Sequence, residues 1–278
     1  MKLPERYNYA EAYLTFRCNL NCNYCINRIG GLKNRKELSA LEWATALNRI
    51  DFNKIPLTLG GGEPTKHNEF FDLMDRLNMP IDLLTNLQFD IDEFIKRIDP
   101  NKFSKGEKEY YHPIRVSYHA GYMDRDKTIR DVKRLREAGF NAAIFGIRHP
   151  YTINENMSMA FFCAHRWNGV PFYEKDFLGE VDGRMYGFYK YPEGLDGIKK
   201  DVMCRTRELL IAPNGNIHRC HRDLYLNENW IGNIKDLQID DNFRHCSNYG
   251  ECNPCDLKLK TNRYLKGVEC QIEIKCSR

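Results

Sequence analysis

The sequence predicts an α/β chain built on a largely parallel sheet, and three observations carry this. Short apolar segments suited to buried strands alternate with segments of helical periodicity through about residue 174. The first unit is stretched by a cysteine-bearing loop, whereas the others recur at the length of a βαβ unit. After about residue 174 glycine, tyrosine and then cysteine dominate, which marks a change of architecture.

The elements follow in order. Tyr13-Leu14-Thr15-Phe16 is an apolar stretch that leads into the cysteine loop. Ser39-Ala40-Leu41-Glu42 reads as a capping box opening a helix through Ile50. Leu57–Leu59 is a buried strand, followed by a helix near Asn68–Leu77 and a third strand over Pro80–Thr85. Asp90 or Asp92 caps a helix over Glu93–Ile98, whose Phe94, Ile95 and Ile98 have helical spacing. Ile114–Tyr118 makes a fourth strand. An amphipathic helix over Asp126–Ala138 ends at Gly139, a residue suited to a left-handed C-cap. Asn141–Ile147, a helix over Glu155–Arg166 and a strand over Val170–Tyr173 complete six strands.

Composition bounds the function. The chain has 278 residues, enough for one large core or a core plus a small appendage, with 42% hydrophobic and 29% charged residues. A net charge of +4 without a basic block gives no clear nucleic-acid signal. The N-terminal segment lacks the apolar core of a signal peptide, and no run is long enough to span a bilayer. Eleven cysteines then point to metal ligation in a reducing cytoplasm rather than to disulfides.

Cys18, Cys22 and Cys25 lie within eight residues. Thiolates select zinc or iron–sulfur clusters, and either ordinarily takes four protein ligands. Three ligands leave one iron open. Downstream, Gly60-Gly61-Gly62-Glu63-Pro64 follows an apolar segment; by itself this is a glycine-rich turn between a strand and a helix.

Together the two motifs resemble those of the radical S-adenosylmethionine (SAM) superfamily. The cysteine spacing, with aromatic Tyr24 before the last thiol, is similar to the loop that binds a [4Fe–4S] cluster on three cysteines and SAM. Gly61, Gly62, Glu63 and Pro64 resemble the turn that holds the SAM ammonium. The resemblance implies reductive cleavage of SAM to a 5′-deoxyadenosyl radical that abstracts a substrate hydrogen. It also implies the architecture: a partial (β/α)6 TIM-like barrel with a small C-terminal α+β iron–sulfur domain. Working residues then gather at strand ends. Asn86 (after Thr85) and Ser117 occupy positions that contact SAM in the family, although each also reads as an ordinary polar residue ending a strand. Residues 143–149 partly resemble the adenine-contact strand, with His149 where an acidic residue is commoner; Arg148 is a SAM or substrate anion partner, or a surface arginine.

The resemblance divides the chain into a barrel at 1–180, a covering loop and linker at 181–203, and an auxiliary-cluster domain at 204–278. Glu208–Ala212 and Asn216–Cys220 flank an Asn214-Gly215 turn and read as a hairpin. The Gly215-to-Cys220 step and Cys252-Asn253-Pro254-Cys255 resemble the SPASM and twitch extensions. Carried over, Cys204, Cys220, Cys252 and Cys255 hold one auxiliary [4Fe–4S] cluster, with Cys246 as alternative fourth ligand and zinc as the alternative metal. His218 and His221 read as ligands, exposed hairpin residues or donors to cluster sulfurs. Cys163 reads as a small buried hydrophobe or a hydrogen-atom donor, and Trp167 and Tyr173 as core or pocket lining.

The expected substrate is a small molecule or a peptide taken into the barrel mouth, because no further segment reads as a leader-peptide grip. The expected electron donor is of flavodoxin or ferredoxin type. A radical methyl or methylthio transferase using Cys270 or Cys276, and a non-catalytic iron–sulfur or zinc scaffold, are the alternatives.

Overall fold

The computed structural model describes residues 1–25, 35–105, 111–165, 170–261 and 268–276; Trp167 lies outside them. The barrel half runs β1 (Tyr9–Thr15), α1 (Ala40–Leu47), β2 (Leu57–Gly61), α2 (Phe70–Arg76), β3 (Ile81–Thr85) and α3 (Ile91–Arg97). It continues with β4 (Ile114–Tyr118), α4 (Arg125–Glu137), β5 (Ala142–Arg148), α5 (Ile153–His165) and β6 (Phe172–Asp176). Local chemistry sets the helix starts. Ser39 and Glu42 form the capping box of α1, Asp90 accepts from the N–H groups of Asp92 and Glu93, and Asp124 caps α4. Gly139, at φ +91°, follows the end of α4 as expected.

Strands β1 to β6 pair in parallel, each with its successor. Alternation sorts their side chains. Ala10, Ala12, Leu14, Leu57, Leu59, Ile81, Leu83, Ile114 and Val116 join the core with Trp43, Leu47, Leu73 and Phe94 of the helices. Fully burying the leucine, isoleucine, valine and phenylalanine side chains among these contributes about 1.5–3 kcal/mol each. The opposite face is polar. Buried Arg115 lies 3.6 Å from Asp82 and donates to Thr58 at 3.4 Å, and Tyr111 also donates to Asp82.

Strand β6 begins two residues later than expected. Its register with β5 runs from Ile144↔Phe172 to Arg148↔Asp176, so polar Glu174, Lys175 and Asp176 are recruited by pairing. At an exposed edge, apolar content does not mark a strand.

The glycine- and tyrosine-rich segment forms a hairpin of β7 (Gly179–Val181) and β8 (Arg184–Tyr186). Asp182 and Gly183 turn it at φ +51° and +75°, as a two-residue turn with positive φ at both positions requires. Next come β9 (Lys200–Thr206), β10 (Glu208–Ile211), β11 (Asn216–His218), α6 (His221–Leu226), β12 (Trp230–Asn233) and β13 (Gln238–Ile239). Last are β14 (Arg244–Tyr249), α7 (Pro254–Leu257), β15 (Lys260–Thr261), β16 (Val268–Glu269) and β17 (Ile272–Cys276).

The hairpin at Asn214-Gly215 is present, with Gly215 at φ +87°. Its first strand, β10, pairs in parallel with β1, from Tyr9↔Glu208 to Ala12↔Ile211. Among the described residues one ten-stranded sheet results, ordered β13-β12-β11-β10-β1-β2-β3-β4-β5-β6. It has two free edges and does not close. Strands β14, β9 and β17 form a separate three-stranded sheet. The segment Pro192–Leu195, expected as a linker, is a short 3₁₀ turn; a Cβ on Gly194 would meet Leu257 at 2.6 Å and the Cys252 thiol at 3.5 Å. Among the described residues, no helix is long and apolar enough to cross a membrane.

Candidate functional site

The cysteine loop leaves the C-terminal end of β1 and is tied to the ends of the next three strands. At β2, the N–H groups of Gly62 and Glu63 donate to the carbonyls of Thr15 and Arg17, both at 2.8 Å. The glycines here answer to this neighbouring backbone. A Cβ on Gly61 would lie 2.2 Å from Thr15 O, and one on Gly62 would lie 2.3 Å from Arg17 O. Gly61 also has φ +124°, a conformation closed to most side chains.

At β3, Asn19 Nδ2 donates to the Gln88 carbonyl at 2.6 Å, and Asn86 Nδ2 donates to Asn19 Oδ1 at 2.7 Å. Leu87 between them takes φ +58°, a strained setting for a leucine that costs about 1–2 kcal/mol. At β4, Asn23 N donates to Tyr122 Oη at 2.9 Å, and Tyr24 Oη meets His119 Nδ1 at 3.1 Å. Tyr24 also stacks on His149, with ring centroids 5.1 Å apart and planes at 25°.

Glu63 is fully buried. Its Oε1 accepts from Thr65 Oγ1 at 2.8 Å, Thr85 Oγ1 at 2.9 Å and Thr65 N at 3.3 Å, while Oε2 accepts from Asn86 N at 2.7 Å. A carboxylate offers about four lone-pair sites. Burial raises its pKa, and these donors oppose the shift. The carboxylate therefore braces the β2 turn against the end of β3.

The other expected contacts separate. Ser117 is half-buried on β4, on the same face as Arg115. Arg148 is exposed and pairs with Asp176 of β6, which agrees with its reading as a surface arginine. Tyr173 stacks on Phe145 at 5.3 Å, and Lys175 lies over the same ring at 4.8 Å. Cys163 is a buried hydrophobe on α5, its thiol 3.8 Å from Met159 Sδ, with a pKa pushed by burial to about 11. Sequence reasoning missed His119, although its place directly after a strand could have flagged it.

Burial, then Lys175, lowers the pKa of His119 to about 4. The unfolded chain takes up this proton near pH 6.5 and the folded chain only near 4, so stability falls as pH drops across that window. Thermal melts should show Tm declining from pH 6.5 to 4, and His119→Gln should flatten that decline.

The C-terminal cysteines gather in the second region. Cys204 on β9 packs in one cluster with Cys270, Cys220, Cys246 and Cys252. Burial pushes the Cys252 thiol up to about 12 and raises Cys204, Cys220 and Cys255 as well. Arg219 supplies a compensating cation, interacting with Cys204, Cys220 and Cys246. Cys255 on α7 has its N–H held by Asn253 Oδ1 at 2.9 Å. Cys270 is buried, and its thiol donates to the Asp256 carbonyl at 3.2 Å. The backbone of Cys276 pairs with Val202, and its side chain lies outside the described residues.

His218 and His221 are buried rather than exposed. His218 Nδ1 meets the Glu228 carbonyl at 3.0 Å, and His221 Nδ1 lies 2.7 Å from Asp256 Oδ1. Burial opposes charge on His221, but Asp256 carries the net shift upward. Asp256 also accepts from His221 N at 2.8 Å, which ties the helix after Cys220 to the helix bearing Cys255.

The donor sets suit iron–sulfur clusters. Cys18, Cys22 and Cys25 are free thiols, and two N–H groups face Cys18 Sγ: Leu20 N at 3.4 Å and Asn86 Nδ2 at 3.6 Å. Such donors stabilise cluster thiolates. Among the described residues, no three His, Cys, Asp or Glu side chains are drawn together as a single metal ion would need.

The family model described as the radical SAM superfamily matches residues 13–160. That stretch covers more than half of the chain and contains the cysteine loop, the glycine turn and the elements from the end of β1 through most of α5. The chain belongs to the radical SAM superfamily. Two curated relatives match a shorter segment. The PqqA peptide cyclase of Rhizobium meliloti (strain 1021) is 36% identical over 77 residues, 27% of this chain and 20% of that protein. The PqqA peptide cyclase of Bradyrhizobium diazoefficiens is 32% identical over 75 residues, with the same coverage of both chains. The matches thus span about a fifth of those relatives. Among solved structures, native anSMEcpe with bound AdoMet and Kp18Cys peptide superposes with a TM-score of 0.55 at 16% identity, covering 88% of this chain and 82% of that one. Native anSMEcpe with bound AdoMet and Cp18Cys peptide gives a TM-score of 0.51 at 16% identity, covering 82% and 77%. At such identities the likeness is one of fold, and it agrees with an open, partial TIM-like barrel.

Proposed function

We propose that this radical SAM enzyme cleaves SAM reductively and directs the resulting radical at a peptide held in the barrel mouth. The observation that carries the reading is the joining of the cysteine loop to the Gly61–Pro64 turn at the C-terminal end of the parallel sheet, through Gly62 N and Glu63 N. Cys18, Cys22 and Cys25 hold the cluster. When bound, it supplies the electron that breaks the SAM sulfonium bond, releasing the 5′-deoxyadenosyl radical that takes a substrate hydrogen. The backbone of Gly61 and Gly62 orients the SAM ammonium, with Glu63 and Pro64 holding the turn in shape. Tyr24, Asn86 and Ser117 bound the rest of the SAM site.

A peptide substrate is favoured because both curated relatives are named for a peptide and the superposed anSMEcpe structures contain one. The mouth beside the loop suits such a guest. Tyr122 and Tyr151 are exposed, and Tyr151 donates through its hydroxyl to Asp182 at the turn of the β7–β8 hairpin. Residues 1–180 form the catalytic barrel, 181–203 its cover, and 204–278 a twitch- or SPASM-like unit. In that unit Cys204, Cys220, Cys252 and Cys255 hold one auxiliary [4Fe–4S] cluster, and Cys246 stands beside them. A flavodoxin- or ferredoxin-type protein donates the electron.

The test is anaerobic reconstitution, iron and sulfide analysis, and an assay of dithionite-dependent 5′-deoxyadenosine formation from SAM. About eight irons per chain with steady SAM cleavage are expected for two cubanes. Zinc in place of iron, or a well-formed cluster that never cleaves SAM, overturns the reading.

A further inference from the structure

We propose that Asn86 donates a hydrogen bond to the Cys18 thiolate and so sets the reduction potential of the SAM-cleaving cluster. The inference rests on the reading that Cys18 holds an iron.

Asn86 is 5% exposed, and its neighbours fix which way its amide points. The Gln88 N–H donates to Asn86 Oδ1 at 2.9 Å, so the oxygen lies on that side and the NH₂ on the other. One amide hydrogen goes to Asn19 Oδ1 at 2.7 Å; the other faces Cys18 Sγ at 3.6 Å, within range for a bond to the larger sulfur atom. The backbone is held equally firmly. Glu63 Oε2 accepts from Asn86 N at 2.7 Å, and Thr85 Oγ1 accepts from Leu87 N at 2.9 Å. The left-handed turn at Leu87 then sends the chain on so that Gln88 N–H can meet the amide oxygen. A buried glutamate, a strained leucine and a backbone donor thus converge on one amide aimed at one thiol.

The chemistry follows from charge. Reducing the cluster adds an electron that is shared with its thiolates, so a donor to sulfur stabilises the reduced form more than the oxidised form. Leu20 N donates to the same sulfur at 3.4 Å, but as backbone it is present whatever the side chain at position 20. The Asn86 amide is the contribution that the sequence can vary. Asn86 acts as a tuning residue, and its removal makes the cluster harder to reduce.

The experiment is an EPR-monitored redox titration of the reconstituted full chain, with SAM added at the end to identify the signal of the cluster at Cys18. In Asn86→Leu the midpoint of the cluster signal that Cys22→Ala removes, measured before SAM is added, moves to a more negative potential. Asn86→Asp, which replaces the donor by a carboxylate, moves it further in the same direction and serves where the leucine variant fails to fold. Asn19→Ala leaves the amide facing Cys18 and shifts the midpoint less than either. A wild-type midpoint in both Asn86 variants overturns the inference while leaving the cluster assignment intact. A wild-type protein with no SAM-responsive signal overturns the assignment itself, and the inference with it.

Discussion

Cys22→Ala should abolish reductive SAM cleavage and, with the proposed auxiliary cluster in the C-terminal region retained, lower bound iron from about eight to about four atoms per chain. Cys22 is 4% exposed, and the Cys25 N–H donates to its carbonyl at 3.2 Å, so it stands at the turn of the loop between the other two thiols. Two thiols cannot retain a cubane that already lacks a fourth protein ligand. The substitution itself is small, and the loop stays tied to β2, β3 and β4 through Gly62, Glu63, Asn19, Asn23 and Tyr24. Folding should therefore change by no more than about 1 kcal/mol. Cys252→Ala should do the reverse, keeping the SAM-responsive signal and losing the C-terminal irons. Cys163→Ala, which removes a core thiol beside Met159, should keep both sets. Iron analysis with EPR on the three variants checks this, and a Cys22→Ala protein that retains full iron and cleaves SAM refutes it.

Gly61→Ala has the largest expected effect on the fold of the site. The new methyl carbon would stand 2.2 Å from the Thr15 carbonyl oxygen, on a backbone at φ +124°. Neither neighbour can yield cheaply, because the obstacle is strand backbone that also accepts from Gly62 N at 2.8 Å. Strain of this kind costs about 1–3 kcal/mol even without a clash. With the clash, a loss of about 3–4 kcal/mol is expected, or a Tm lower by roughly 6–16 °C for a domain of this size. The displacement falls on Thr15 and Arg17, which lead directly into Cys18, so SAM cleavage should fall at least tenfold even where the protein remains folded. Gly121→Ala is the matched control. Gly121 has φ +79° with nothing within 4 Å of an added Cβ, so only the backbone strain applies. Melting curves and 5′-deoxyadenosine formation for the two variants separate a packing clash from the general cost of losing a glycine.

Much of the barrel could be read along the chain, for a physical reason. Helix starts at Ser39 and Asp90, the stop at Gly139 and the strand Ile114–Tyr118 depend on interactions within a few residues, and the structure places them as expected. The cysteine loop and the glycine turn are likewise local signatures. What was misplaced depended on distant partners. Strand β6 slid toward Asp176 because pairing with β5, not apolar content, defines an edge strand. His218 and His221 sank into the interior because Glu228 and Asp256 come from later elements to meet them.

The sequence by itself determined the superfamily, the order of βα units and the thiols available for iron, since each is written in residue type and short spacing. Only the tertiary structure decided that β10 extends the sheet on the free edge of β1, that the Glu63 carboxylate faces Thr85 and Asn86, and that Asn86 faces Cys18. Those outcomes turn on which unpaired backbone edge and which buried polar group a distant segment must satisfy. Such pairings are settled by the free energy of the assembled chain, and no single stretch of it carries them.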